Sequence, residues 1–94
     1  MTIHTDRKDN EVTIAISGRF DFNAHREFRE AVKAVSDGAR CVVDLEKATY
    51  LDSSALGMLL LLKDASKDVR IIKCSDEVRK VLEIANFHRL FDVS

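Results

Sequence analysis

Residues 52–62, DSSALGMLLLL, join a short polar segment directly to an apolar run. Side-chain oxygens before an apolar run are typical of a helix N-terminus, where they accept hydrogen bonds from backbone N–H groups that have no partner within the helix. The same N–H groups, with the positive end of the helix dipole, stabilise an anion such as a phosphate. We therefore predict a helix that begins at Ser53 or Ser54, ends near Ser66 and would accommodate a phosphoserine at its tip.

Strands and helices alternate on both sides of this helix. Patterns of apolar residues with period two predict strands, and patterns with period 3.6 predict helices. The other predicted elements are a strand at 2–5, a turn at Asp9-Asn10, a strand from Val12 that Gly18 ends, a helix capped by Asn23 that runs to about Ser36 before Gly38, a strand at 40–45, a strand at 69–72, a helix capped by Ser75 and a short strand at 91–93.

The order of these elements predicts an α/β fold in one domain, residues 1–94. Alternating strands and helices imply parallel pairing through right-handed crossovers, and the two opening strands imply one antiparallel pair. Because the strand at 40–45 is almost continuously apolar, we expect it to be central and covered on both faces. The result is a mixed β-sheet of four to five strands with three to four helices packed mainly on one face.

Composition and charge exclude several classes of protein. Fifteen basic and sixteen acidic residues give a net charge of −1, and no basic block is present, which argues against a nucleic-acid partner. No apolar run approaches the roughly 18 residues that span a bilayer, so we predict no membrane insertion. The N-terminus has no basic segment followed by an apolar one, as a secretory signal would, and we expect a cytoplasmic protein.

The sequence predicts neither a cofactor nor a metal site. There is no glycine-rich phosphate loop, and the chain contains only three glycines. The histidines His4, His25 and His88 are too scattered to form a metal site, and we expect them at the surface or partly buried. Cys41 and Cys74 lie at opposite ends of two strands that we expect to pair in parallel, well over about 10 Å apart, so both are expected to be reduced thiols.

Two motifs resemble those of the STAS domain of anti-sigma factor antagonists. Asp52-Ser53-Ser54-Ala55-Leu56-Gly57, after the strand Cys41-Val42-Val43-Asp44-Leu45, is similar to that family's Asp-Ser-Ser-Gly-Leu-Gly signature. Gly18-Arg19-Phe20-Asp21 is similar to its Gly-Glu-Leu-Asp motif. The order of elements agrees as well, so the resemblance covers nearly the whole chain and implies the STAS fold.

The resemblance implies a regulatory binding protein switched by phosphorylation. In that family the first serine after the aspartate, here Ser53, is phosphorylated by a partner that is both a serine kinase of the histidine-kinase-like ATPase type and an anti-sigma factor. The unphosphorylated form binds this partner and frees a sigma factor, which regulates bacterial transcription. The phosphorylated form releases the partner, and a PP2C-type phosphatase resets the switch. Asp21 falls where the family has an aspartate near the phosphoserine.

The predicted partner-binding residues lie around Ser53 and along the apolar helix. Leu56, Leu59 and Leu60 are expected on one face of that helix, Met58 and Leu62 on the other, and some of them should be exposed, as at a partner surface. The predicted set is Asp21, Asp52, Ser54, Ala55, Leu56, Met58, Leu61 and Leu62.

Structural roles compete with these functional ones. Ser53 or Ser54 would serve equally as a simple N-cap, and Asp21 as a turn residue. Met58, Leu61 and Leu62 would be core residues if the C-terminal segment with Phe87, Leu90 and Phe91 covers them.

The sequence departs from the family pattern at two places. Ala55 stands where the family has a glycine, and we expect it to be favourable because alanine suits a first helical turn. The chain also ends soon after Phe91, where many relatives continue into another helix.

Two other functions remain as alternatives. Small STAS proteins also serve as structural subunits of ABC-type phospholipid transport complexes, without phosphorylation; the paired serines favour the switch. An enzyme with a serine nucleophile is not expected, because the chain has no Gly-x-Ser-x-Gly elbow and no histidine near either serine in sequence.

Overall fold

The computed structural model describes residues 2–35, 39–66 and 68–94. It confirms a mixed sheet with helices against it, and adds one strand to the expected number. The elements in chain order are β1 (Thr2–Lys8), β2 (Glu11–Phe20), α1 (His25–Lys33), β3 (Arg40–Asp44), β4 (Ala48–Leu51), α2 (Ser53–Ala65), β5 (Val69–Ile72), α3 (Asp76–Ile84) and β6 (Asp92–Val93).

The sheet is antiparallel at one edge and parallel elsewhere. Its order is β1-β2-β3-β5-β6, and β4 pairs with β2 beside this path. β1 and β2 form the predicted antiparallel hairpin around Asp9 and Asn10, and the remaining pairs are parallel. The β2–β3 pairs run from Glu11 to Ala15, whereas the β2–β4 pairs run from Gly18 to Phe20. The long strand β2 therefore pairs with β3 near its start and with β4 near its end.

The hydrophobic core lies between the helices and one face of the sheet. Ile14, Val43 and Ile71 are fully buried together with Phe28 of α1 and Leu59 of α2. The strand β3 is central, between β2 and β5, as expected, but only its middle is covered on both faces. Cys41, Val43 and Leu45 are fully buried on the helix side; on the other side Val42 is 9% exposed, whereas Arg40 is exposed and Asp44 is half-buried.

The strand β4 and the continuation of β2 beyond Gly18 were not predicted. Gly18 does not end β2; it adopts a left-handed φ of 84° where the register with β4 shifts, and its N–H donates to Lys47 O. Glycine adopts this conformation without strain, so the strand bends there and continues to Phe20. The four residues of β4 have no alternating pattern, because only Ala48 and Leu51 are buried.

Of the predicted helix caps, one is wrong and another is confirmed. Asn23 does not cap α1. Asp21 instead accepts a hydrogen bond from Asn23 N at 3.0 Å and caps a single 3-10 turn, residues 22–24, that leads into α1. Ser75 caps α3 as predicted, since its Oγ accepts from Val78 N. The predicted end of α1 near Ser36 and Gly38 lies outside the described residues.

The C-terminal segment packs on the core through Phe87 and Phe91, whereas Leu90, expected there with them, is 41% exposed. Phe87 and Phe91 are buried with their ring centroids 5.5 Å apart, and β6 adds a short parallel strand beside β5. Both cysteines are free thiols. Burial raises the pKa of the Cys41 thiol to about 12. Burial also raises the pKa of Cys74, although the charge of Arg79 opposes this shift.

Candidate functional site

The first turn of α2 is capped by an aspartate, not by either serine. Asp52 has an extended backbone, and its Oδ1 accepts a hydrogen bond from Ala55 N at 2.8 Å. Its carbonyl accepts the helical bond from Leu56 N. Ser53 is therefore the first residue inside the helix, and neither of the two serines that the sequence offered as caps has that role. A carboxylate also interacts more favourably than a hydroxyl with the positive end of the helix dipole.

The two serines differ in accessibility. Ser53 is exposed, Ser54 is half-buried and Ala55 is fully buried. Since Asp52 already serves as the cap, the Ser53 hydroxyl has no role in holding the helix start. Ala55 lies inside the first turn, where alanine is a favourable residue, as expected from the sequence. The geometry thus separates the residue that stabilises the helix from the residue that presents a hydroxyl to solvent.

This separation predicts different effects for neighbouring substitutions. Asp52→Ala should lower the free energy of unfolding by about 1 kcal/mol, because it removes a side-chain cap. Ser53→Ala should change it by less than about 0.5 kcal/mol, as is usual for exposed positions. Urea denaturation followed by circular dichroism measures both, with Asp52→Asn as the control that keeps a capping oxygen. Equal losses for Asp52→Ala and Ser53→Ala would contradict this assignment of the cap.

The pairing of β2 with β4 brings Asp21 next to Asp52. Phe20 is aligned with Leu51, and Asp52 N donates to Phe20 O at 3.4 Å, so the two strands end side by side. Each strand is followed by an aspartate that caps the next turn, Asp21 for the 3-10 turn and Asp52 for α2. Ser53 therefore begins its helix in an acidic environment formed by two separate parts of the sequence.

Three side chains near this point were not predicted as site residues. The Arg19 guanidinium lies 4.2 Å from the Tyr50 ring centroid, and its Nε is 3.8 Å from Asp21 Oδ2. Phe22, in the 3-10 turn, is 70% exposed. Exposed aromatic and arginine side chains are enriched among residues that dominate binding energy at interfaces. Phe22 could have been found from the sequence, as an aromatic residue directly after Asp21. The contact between Arg19 and Tyr50 could not, because it depends on the pairing of β2 with β4. We call Arg19, Asp21, Phe22, Tyr50, Asp52 and Ser53 the Ser53 surface.

Leu56, Leu59 and Leu60 share one side of α2 by their spacing, as expected, but that side is not uniformly buried. Leu59 is fully buried, Leu56 is half-buried and Leu60 is 40% exposed. Met58 and Leu62 are buried in the core and, like Ala55, cannot contact a partner directly in this conformation. Their predicted role as partner-contact residues is therefore wrong. They face the sheet because a helix packed on one side must bury every third or fourth residue.

The exposed stripe of α2 starts at Ser53 and continues one turn later at Gly57. A Cβ atom added to Gly57 would have nothing within 4 Å, so no close approach inside the described part of the chain requires glycine there. Glycine in an exposed helix interior costs about 1 kcal/mol relative to alanine. Leu60 and Leu61 follow on the same stripe. The exposed surface of α2 therefore begins at Ser53, passes Gly57, which has no side chain, and ends in the apolar side chains of Leu60 and Leu61.

In residues 2–35, 39–66 and 68–94, no three or more His, Cys, Asp or Glu side chains are grouped so that they could hold a metal ion. No helix in these ranges is both long enough and apolar enough to cross a membrane.

Comparison with known proteins gives consistent matches over nearly the full length. The family model described as "Mlab, STAS domain" matches residues 3–92. A STAS-domain containing protein of Pseudomonas aeruginosa is 55% identical, covering 89% of this chain and 88% of that protein. The anti-sigma-B factor antagonist of Staphylococcus aureus is 28% identical, covering 100% of this chain and 93% of that protein.

Solved structures give the same fold at low sequence identity. The anti-sigma factor antagonist SpoIIAA from Bacillus, in its unphosphorylated form, superposes with a TM-score of 0.78 and 19% identity, covering 99% of this chain and 88% of that one. Its phosphorylated form superposes with a TM-score of 0.63 and 17% identity, covering 99% and 91%.

Proposed function

The chain belongs to the STAS domain family, and on that premise we propose that it is a bacterial anti-sigma factor antagonist switched by phosphorylation of Ser53. The observation that carries this proposal is the exposed hydroxyl of Ser53 in the first turn of α2, beside the separate cap Asp52. Because Asp52 stabilises the helix start, Ser53 is free to be modified. The switch acts on binding and not on folding.

Two relatives support the proposal through what their names state. The Staphylococcus aureus relative is an anti-sigma-B factor antagonist, and SpoIIAA is an anti-sigma factor antagonist known in an unphosphorylated and a phosphorylated form. We propose that the partner of this chain is likewise an anti-sigma factor. That partner is a serine kinase of the histidine-kinase-like ATPase type, and a PP2C-type phosphatase removes the phosphate. In this proposal the chain is cytoplasmic and is a substrate of these enzymes, with no catalysis of its own.

The Ser53 surface is suited to a charge-operated switch. A phosphoserine carries a charge of about −1.5 to −2 at neutral pH. Asp21 and Asp52 already make this region acidic, while Arg19 is engaged with Tyr50 and Asp21. A partner that docks on Phe22 and Tyr50 would desolvate the phosphate next to two carboxylates. We therefore propose that phosphorylation prevents docking by repulsion and desolvation at the interface.

The test of this proposal is to identify the phosphoacceptor. The purified chain is incubated with ATP and the anti-sigma kinase encoded in the same genome, and the phosphate is located by tandem mass spectrometry. Phosphate on Ser53 is expected in the wild type and in Ser54→Ala, and none in Ser53→Ala. Ser54→Ala is the matched control, because it removes the neighbouring hydroxyl and keeps Asp52. Continued phosphorylation of Ser53→Ala would refute the proposal.

A second candidate function is a structural subunit of an ABC-type phospholipid transport complex. The exposed Leu60 and Leu61 on α2 favour it, because they offer an apolar surface that does not involve Ser53. Co-purification of the chain with a transporter ATPase, unaffected by Ser53→Asp, would favour this function over the switch.

A further inference from the structure

A groove between α1 and α2 has two oppositely charged walls. It has a volume of about 340 Å³ and is lined by Arg29, Val32, Lys33, Leu61, Asp64 and Ala65. The α1 wall carries the two basic residues, and the α2 wall carries the acidic one. Val32 is half-buried and Leu61 is 39% exposed, so the floor is apolar and partly open to solvent.

The charges of this groove are available for a contact outside the chain. Lys33 is 3.5 Å from Glu30, but both side chains are about 70% exposed, so this pair is weak. Neither Arg29 nor Asp64 has an ion-pair partner within 4 Å among the residues that the structure describes. The two walls therefore lie across one groove without neutralising each other.

We propose that this groove is the contact surface of a symmetric homodimer. A two-fold axis along the groove places the α1 wall of each copy over the α2 wall of the other. Arg29 and Lys33 then face Asp64 of the second copy, and Leu61 covers the second copy's Val32. The same pairs form twice. The opposite charge of the walls within one chain is what favours a second copy over an unrelated partner.

This dimer goes beyond the proposed function and leaves the switch accessible. Leu61 is eight residues after Ser53, which is about 12 Å along the helix axis. The groove is small, so the dimer is expected to be weak, with a dissociation constant on the order of 10–100 µM. Both copies could then present Ser53 to their partners at the same time.

Sedimentation equilibrium of the full chain between about 5 µM and 1 mM measures this association over the range that such a constant requires. The wild type is expected to dimerise, and Leu61→Asp should weaken the dimer at least about tenfold, because it places a carboxylate in the apolar floor. Asp64→Lys and the double variant R29E/K33E should each weaken it by a similar factor, since each brings like charges together. Thermal unfolding of every variant checks that it is folded.

The decisive variant is the charge exchange R29E/K33E/D64K. In the proposed dimer it restores opposite charges at both pairs, and its dissociation constant should return to within about threefold of the wild-type value. A wild type that is monomeric at 1 mM would overturn the proposal. A triple variant that dimerises as weakly as Asp64→Lys and R29E/K33E would overturn it as well. If the wild type is monomeric and Leu61→Asp weakens anti-sigma factor binding, the groove belongs to that partner. None of these results depends on phosphorylation of Ser53, so the switch is tested separately.

Discussion

Phosphorylation of Ser53 is expected to weaken binding to the proposed anti-sigma factor by about 10³-fold, which corresponds to about 4 kcal/mol. One desolvated dianion beside two carboxylates can supply this amount at an interface. The same phosphate should change the free energy of unfolding by less than about 1 kcal/mol. Its attraction to the helix N-terminus and its repulsion from the Asp52 carboxylate are similar in size and opposite in sign. Isothermal titration calorimetry and urea unfolding of the phosphorylated and unphosphorylated chain measure the two quantities.

Charge variants separate repulsion from simple bulk. Ser53→Asp should lower the affinity and Ser53→Ala should retain it. If repulsion dominates, Asp21→Asn should reduce the penalty that phosphate imposes on binding, whereas a purely steric effect would be unchanged. Asn at position 21 keeps an oxygen that can accept from Asn23 N, so the 3-10 turn is preserved. Global unfolding on phosphorylation would contradict the proposed switch, since the loss of binding would then arise from the scaffold.

The sequence was sufficient for the parts of the fold that follow from local patterns. The alternation at Val12, Ile14 and Ile16 predicted a strand with one buried face, and all three are at most 1% exposed. Ser75, followed by two acidic residues, predicted the start of α3. These signals are local because hydrogen-bonded caps and amphipathic periodicity involve residues only a few positions apart.

The features that sequence missed depend on contacts between distant residues. No periodic pattern of apolar residues marks the bend at Gly18 or the strand β4, because both arise from the pairing of β2 with β4. The same pairing places Arg19 over Tyr50, residues 31 positions apart, and so brings together two of the six residues of the Ser53 surface. Three neighbouring residues, Asp52, Ser53 and Ser54, are all good N-caps, so propensity alone could not decide which side chain caps α2.

The largest loss of stability is expected from Leu59→Ala, with Leu60→Ala as its matched control. Both remove the same atoms and change helix propensity equally, so their difference isolates burial. Leu59 is fully buried in the core, and its truncation should lower the free energy of unfolding by about 3 kcal/mol through lost transfer energy and the cavity left behind. Leu60 is 40% exposed, and its truncation should cost less than about 1 kcal/mol.

Urea denaturation at low micromolar protein concentration measures this difference without a contribution from dimerisation. A domain of this size has a total stability on the order of 5–10 kcal/mol, so Leu59→Ala should be folded at 25 °C but unfold at a clearly lower temperature. Similar losses for the two variants would mean that Leu59 and Leu60 are buried to a similar extent. The assignment of an exposed stripe from Ser53 to Leu61 would then be wrong. Both the Ser53 surface and the dimer groove depend on that assignment.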